Sequence, residues 1–227
     1  MTRTLLVLRP EPGNAATAAA ARGLGLNTVA APLFHSEAVP WDAPTDPTAY
    51  AGLLAGSAAL FRLGGAEILK LRGVPVHAVG EATAAAAREA GFAVRQVAGG
   101  GMQLLVSALP PGLYLRPAGE AHVALDLPEG VRVDTRVVYA ARALPLPDKA
   151  TAAMRGGAVV LLHSGEAARH LAQESHRLAL DRSGVTLACL APRIAEAAGT
   201  GWQAVEIAPE RTDQALLALA AQMCQNL

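Results

Sequence analysis

The sequence predicts an α/β protein made of two similar parallel-sheet domains, flavodoxin- or Rossmann-like in type. Three observations carry that expectation. Short continuous apolar runs such as Thr4–Leu8 (TLLVL) and Ala158–Leu162 (AVVLL) fit strands buried on both faces, as in a parallel sheet. Many of these runs pass through a turn into an Ala-rich helical segment, the βαβ rhythm that implies parallel strands and a right-handed crossover. Two pieces of chain also recur. LLAGSAALFRL (53–63) is echoed by VLLHSGEAARHL (160–171), and VGEATAAAAREAGFAVRQVA (79–98) by LAPRIAEAAGTGWQAVEIA (190–208), as expected of a degenerate duplication.

Element by element, Thr4–Leu8 is the first strand and Arg9–Gly13 a loop. Asn14 is the expected N-cap of a helix that Gly23 or Gly25 ends, before a strand over Asn27–Leu33. Pro40, Pro44 and Pro47 mark a passage where the chain leaves one domain. Tyr50–Ala55 reads as a strand, with Ser57 opening a short helix that ends near Gly64 and Gly65. Val74–Val79 is a strand that meets Gly80 and a helix, and Gly91 stops that helix before another strand. Gly99–Gly101, read as a flexible turn, precedes a helix over Met102–Leu109. Leu113–Arg116 is expected as a strand, Ala118–Leu125 as a short helix, the alternating Arg132–Tyr139 as a strand, and Ala140–Pro147 as a connection. Ala158–Leu162 is then a strand, and Ser164 caps a helix through His176. Val185–Leu190 is a strand, Pro192–Ala198 a helix, Gln203–Ile207 a strand, and Thr212–Cys224 a final helix with Thr212 as N-cap. The opening βαβ piece needs a sheet, and the later strands supply one. Residues 1–34 with 143–227 are therefore expected to form one discontinuous domain and 36–139 an inserted one, with crossings near 34–36 and 139–143.

Composition narrows the function. The chain has 227 residues, 52% of them apolar, and a formal net charge of zero. Without a basic patch or charge block, nucleic acid is not an expected partner. No apolar run reaches membrane-spanning length, and MTRTLLVLRPEPG is too short in its apolar part for a signal peptide. A soluble cytoplasmic protein, without a membrane partner, is the expectation. Cys189 and Cys224 lack CxxC spacing and read as reduced, partly buried thiols. GxxxxGK[ST], the dinucleotide fingerprint, HExxH and GxSxG are all missing, so no cofactor, metal or hydrolase triad is expected. His170 and Glu174, one turn apart, read as a surface pair.

What remains is a set of expected helix N-termini at strand ends: Ser57, Gly80–Thr83, Gly99–Gly101, Arg116–Glu120, Ser164 and Pro192–Arg193. Open α/β sheets bind ligands outside the carboxyl ends of their strands, where helix N-termini accept anions through backbone N–H groups. On two domains able to face one another, this predicts a cleft for a molecule with many carboxylates or phosphates. Arg9 and Arg116, each expected just past a strand and followed by Pro, add forked donors.

The order LLVLRPEPG, VGEATAAAAREAGF, LYLRPAGE, VVYAARA, VVLLHSGEAARHL and APERTDQALLAL resembles the uroporphyrinogen-III synthase family over essentially the whole chain. The resemblance implies two α/β domains joined by a two-stranded connector, one inserted into the other. It implies that no cofactor or metal is used. A monomer is expected on a separate ground, since no amphipathic stripe is left over once both domains are folded. The implied substrate is hydroxymethylbilane, a linear tetrapyrrole bearing acetates and propionates, cyclised with loss of water and inversion of ring D. Tyr139, in VVYAAR, matches as proton donor to the departing hydroxyl, and an ordinary phenol keeps its proton at neutral pH. Thr83 with Gly80 matches the family's VGxAT-like turn and would bind a carboxylate; Ser57 and Ser164 match its two Ser turns. Where members often carry Phe-Thr-Ser, this chain has Ala55-Gly56-Ser57; where they show G-P-x-T-A, it has Ala191-Pro192-Arg193-Ile194-Ala195. The hydroxyl is gone from the second turn, and Arg193 is the expected replacement. Arg9, Ser57, Gly80, Thr83, Arg116, Ser164 and Arg193 are thus the expected substrate-binding residues. The alternative reading is a non-catalytic two-lobed binding or scaffold protein for a polyanionic small molecule.

Overall fold

A computed structural model describes residues 3–225; the outermost residues of the expected first domain, 1–2 and 226–227, lie outside the described residues. In chain order the elements are β1 (Leu5–Val7), α1 (Gly13–Gly23), β2 (Thr28–Ala30), β3 (Phe34–Ala38), a 3-10 turn (Pro47–Ala49), β4 (Gly52–Ala55), α2 (Ala59–Leu63), α3 (Gly65–Leu69), β5 (Val76–Val79), α4 (Glu81–Glu89), β6 (Val94–Ala98), α5 (Met102–Ser107), β7 (Gly112–Gly119), β8 (Val131–Ala143), α6 (Asp148–Arg155), β9 (Val159–Leu162), α7 (Gly165–Arg177), β10 (Thr186–Cys189), α8 (Pro192–Ala198), β11 (Ala204–Ile207) and α9 (Asp213–Gln225). They fall into two compact units, Met1–His35 with Arg142–Leu227, and Ser36–Ala141.

In the first unit the strand order is β11-β10-β9-β1-β2, all parallel. This is the flavodoxin-like order. Alternate residues of each central strand serve opposite faces. Leu6, Leu8, Val160, Leu162, Leu187 and Cys189 enter one core, while Leu5, Val7, Val159, Leu161 and Ala188 enter the other. Both faces are covered by helices, which is why these strands read as unbroken apolar runs.

The second unit has the order β3-β8-β7-β4-β5-β6. Here β4, β5 and β6 hold the places of β9, β10 and β11, and β7 and β8 those of β1 and β2. The same sheet thus recurs with a permuted chain order. The two sequence echoes correspond to β4 with α2 against β9 with α7, and β5-α4-β6 against β10-α8-β11.

Several expectations are corrected. Ala118–Leu125 is not a helix: β7 runs on to Gly119, and residues 120–130 carry no regular element before β8. β8 itself extends through Ala143, across the first half of the expected connection. The helices α3 and α6 were not foreseen. Asn14 does not cap α1; it sits inside the first turn, fully buried, after the N-cap Pro12. Its Nδ2 donates to the carbonyls of Val7 (2.8 Å) and Arg9 (2.9 Å), tying the loop to the end of β1. Asn14→Ala would strip a donor from both carbonyls, with an expected loss of about 1–3 kcal/mol, measurable by urea unfolding.

His170 and Glu174 are not a surface pair either. Glu174 is buried and accepts from Leu146 N (2.8 Å), while His170 Nε2 donates to Leu144 O (2.7 Å). The two side chains pin the returning 144–147 segment against α7. Thr212 does cap α9, accepting from Ala215 N (3.1 Å).

Candidate active site

A doubly wound sheet opens its ligand crevice where neighbouring strands send their connections to opposite faces. In the first unit that point lies between β1 and β9, because α1 packs on one core and α7 on the other. Arg9 follows β1, and Ser164 follows β9. Ser164 Oγ accepts from Ala167 N (3.1 Å), so it caps α7 as the sequence predicts.

Arg9 lies where expected, but its guanidinium is engaged. It pairs with Asp213 in the first turn of α9, donates to Thr17 Oγ1 (3.3 Å), and lies so close over Gly13 that a Cβ there would be 2.5 Å from Nε. His163 joins this group, its Nε2 3.5 Å from Asp213 Oδ1 and its side chain 10% exposed. Burial, then the charge of Arg9, pushes its pKa down to about 4 against the pull of Asp213. The imidazole is neutral at neutral pH. Neither ring nitrogen makes a hydrogen bond among the described residues. Sequence reasoning missed both His163 and Asp213. The one available signal was that His163 directly precedes the helix-capping Ser164; Asp213 comes to Arg9 from 204 residues away. Arg193 is the second residue of α8 and is exposed.

In the second unit the corresponding point lies between β4 and β7. Ser57 follows β4, and its Oγ accepts from Ala59 N (3.2 Å) ahead of α2. After β5 comes Gly80, whose φ of 79° lies in the left-handed region that favours glycine. That conformation lets the strand turn abruptly into α4, whose third residue is the buried Thr83.

Tyr139 stands on β8 opposite Gly119 of β7. A Cβ on Gly119 would lie 2.7 Å from the Tyr139 ring and 3.2 Å from its hydroxyl. Only glycine gives the ring that position. Glu120 N donates to Tyr139 O (2.9 Å), which fixes the backbone as well.

Arg116 departs from expectation. It is not just past a strand at a helix N-terminus but inside β7, buried, with Nη1 donating to Val123 O (2.9 Å). Among the described residues no cluster of three His, Cys, Asp or Glu is placed to hold a metal ion, and no helix is long and apolar enough to cross a membrane. Both cysteines are buried free thiols, and burial pushes Cys189 up to about 11, which keeps it protonated and unreactive.

The class this defines is a two-unit α/β protein of flavodoxin-like sheets, with hydroxyl, guanidinium and helix-start donors at the strand carboxyl ends. The model of the uroporphyrinogen-III synthase family (HEM4, HemD) matches residues 15–218, and the chain belongs to that family. It is a uroporphyrinogen-III synthase, a cyclising lyase of tetrapyrrole biosynthesis acting on a small-molecule substrate. The fold is similar to that of solved structures. A uroporphyrinogen-III synthetase from Helicobacter pylori superposes with a TM-score of 0.65 at 17% identity, covering 98% of this chain and 100% of that one. A mutant uroporphyrinogen III synthase from Thermus thermophilus gives 0.57 at 18%, covering 99% and 100%. No curated protein sequence matches the chain.

Proposed function

We propose that this chain closes hydroxymethylbilane to uroporphyrinogen III with Tyr139 as its proton donor. The observation that carries the reading is the family match over residues 15–218. The ring A pyrrole nitrogen expels the hydroxyl as water, the Tyr139 phenol donating the proton. The resulting azafulvenium is attacked by the substituted α-carbon of ring D, and the spiro intermediate fragments and recloses with ring D turned over. The substrate's own pyrroles supply the electrons, so the protein's task is to hold a long polyanion in one folded shape.

Acetate and propionate arms are the ligands for the donors at the strand ends. These are Ser57, Gly80 and Thr83 in one unit and Arg9, Ser164 and Arg193 in the other, with Arg193 replacing the hydroxyl absent from its turn; Arg116, inside β7 and not at its end, is a further donor. In this reading β3 and β8 form a two-stranded connector, and the second unit is an insertion in the first. Supporting it, Leu144 N donates to Leu33 O (2.8 Å) and Val39 N to Val138 O (3.0 Å), the pairing of antiparallel strands.

The test is product analysis. Purified protein is given fresh hydroxymethylbilane, the products are oxidised, and the porphyrin isomers are separated by chromatography. Uncatalysed closure gives isomer I. A dominant isomer III is expected; isomer I alone from folded protein would overturn the proposal.

A further inference from the structure

The 120–130 segment joins two parallel strands without the helix such a crossover usually carries. It lies instead over the α5 side of the second unit's sheet. Leu125 packs on the core that α5 helps form, and Gln103 of α5 bonds both backbone groups of Asp126 (2.8 and 3.0 Å). Beneath it is a cavity of about 330 Å³ lined by Arg116, Thr135, His122, Val123 and Leu125 among others. Arg116 and Thr135 are register neighbours on β7 and β8, so their side chains stand side by side on one face.

Arg116 is only 6% exposed. A guanidinium carries five N–H donors in a rigid fork, and the Val123 carbonyl takes one of them. Burying such a charge is costly unless an anion answers it. Its pKa is lowered by burial, with only the Tyr139 phenol pulling the other way; a carboxylate in contact would have raised it. A loop staple alone does not need a cation, since a neutral donor serves a carbonyl equally well. A buried fork beside a hydroxyl, facing open space, is the arrangement that recognises a carboxylate.

We infer that the cavity under the 120–130 segment is a carboxylate subsite, in which the Arg116 fork and the Thr135 hydroxyl grip one acid arm of the substrate. Naming the arm as the tetrapyrrole's rests on the function proposed above; the carboxylate chemistry does not. The arm enters with the loop latched by Gln103, and His122 lies at the same cavity.

The experiment has two readouts on the full chain. Sodium propionate is titrated into labelled protein while the Arg116 Nε–H and the 120–130 amides are followed by NMR. KM and kcat for hydroxymethylbilane are measured in parallel. Thr135→Val keeps the shape and suits a strand; Arg116→Lys keeps the charge and loses the fork. Saturable shifts are expected in the wild type. Thr135→Val should weaken propionate binding by roughly 3–10-fold and raise KM more than it lowers kcat, and Arg116→Lys should do more of both. If propionate leaves the Arg116 signal unmoved, or Thr135→Val leaves KM at the wild-type value, the inference is overturned. A wild type that makes only isomer I would defeat the proposed function, whereas the propionate titration reports on the cavity alone.

Discussion

Tyr139→Phe should lower kcat for ring closure by about 10²-fold or more, with KM held within a few-fold. The phenylalanine ring fits the same space against β7, so substrate arms bind as before, and only the proton donated to the departing hydroxyl is lost. A companion change separates donation from shape. Gly119→Ala keeps the phenol but puts a methyl where the ring now lies, 2.7 Å from its nearest atom, so the ring must move. Misplacement on the ångström scale costs on the order of 10²-fold where positioning is the catalysis. Gly119→Ala should therefore lose kcat as well, although every donor is present. Steady-state rates at saturating hydroxymethylbilane, with isomer ratios, decide the matter. If Tyr139→Phe retains a third or more of the wild-type kcat, the phenol is not the proton donor.

The second large effect is on acid stability, and it belongs to the first unit. Glu174 is held down to about 2, first by Arg177 (2.7 and 2.8 Å) and then by Leu146 N. The unfolded chain protonates this carboxyl near its ordinary value, so its contribution is whole above about pH 4.5 and fades as pH falls toward 2. His163 works in the same direction through the opposite charge. Its folded pKa is pushed down to about 4 from 6.5, so the unfolded chain takes up this proton first. Stability is then lost as pH falls from about 6.5 to 4. Each group is worth ~3 kcal/mol at its limit.

The urea midpoint of the first unit should accordingly begin to fall just below pH 6.5 and keep falling past 4.5. Trp202 lies in this unit and Trp41 in the other, the chain's two tryptophans. In a Trp41→Phe background, fluorescence reports the first unit alone. Glu174→Gln should destabilise it at pH 7 and flatten the lower limb, while His163→Asn should flatten the upper one. A midpoint constant from pH 7 to 4 would refute the His163 assignment, and one constant from pH 4.5 down to 2 that of Glu174.

The α/β class, the strands other than β3 and most of the helices were legible along the chain. The physical reason is local. A parallel strand covered on both faces must be apolar at every residue, as in Leu5–Val7 and Val159–Leu162, and a Ser or Thr before a helix accepts from a nearby N–H, as Ser164 and Thr212 do. The duplicated pattern and the family's order of motifs were legible for the same reason: they lie along the chain. Tertiary structure decided what depends on partners distant in sequence. The 118–125 stretch had small residues enough for a helix, but β8 offered Gly119 a strand partner in Tyr139, and pairing won over propensity. Asn14 had the chemistry of a cap and became a buried tie, because the carbonyls of Val7 and Arg9 came within its reach. Glu174 looked like a surface charge until the returning segment brought Leu146 N to it. Arg9, His163 and Asp213, and Arg116 with Thr135, are neighbours only because strands and helix starts far apart in the chain end side by side. Spacing along the chain holds no record of that meeting; the sheet order creates it.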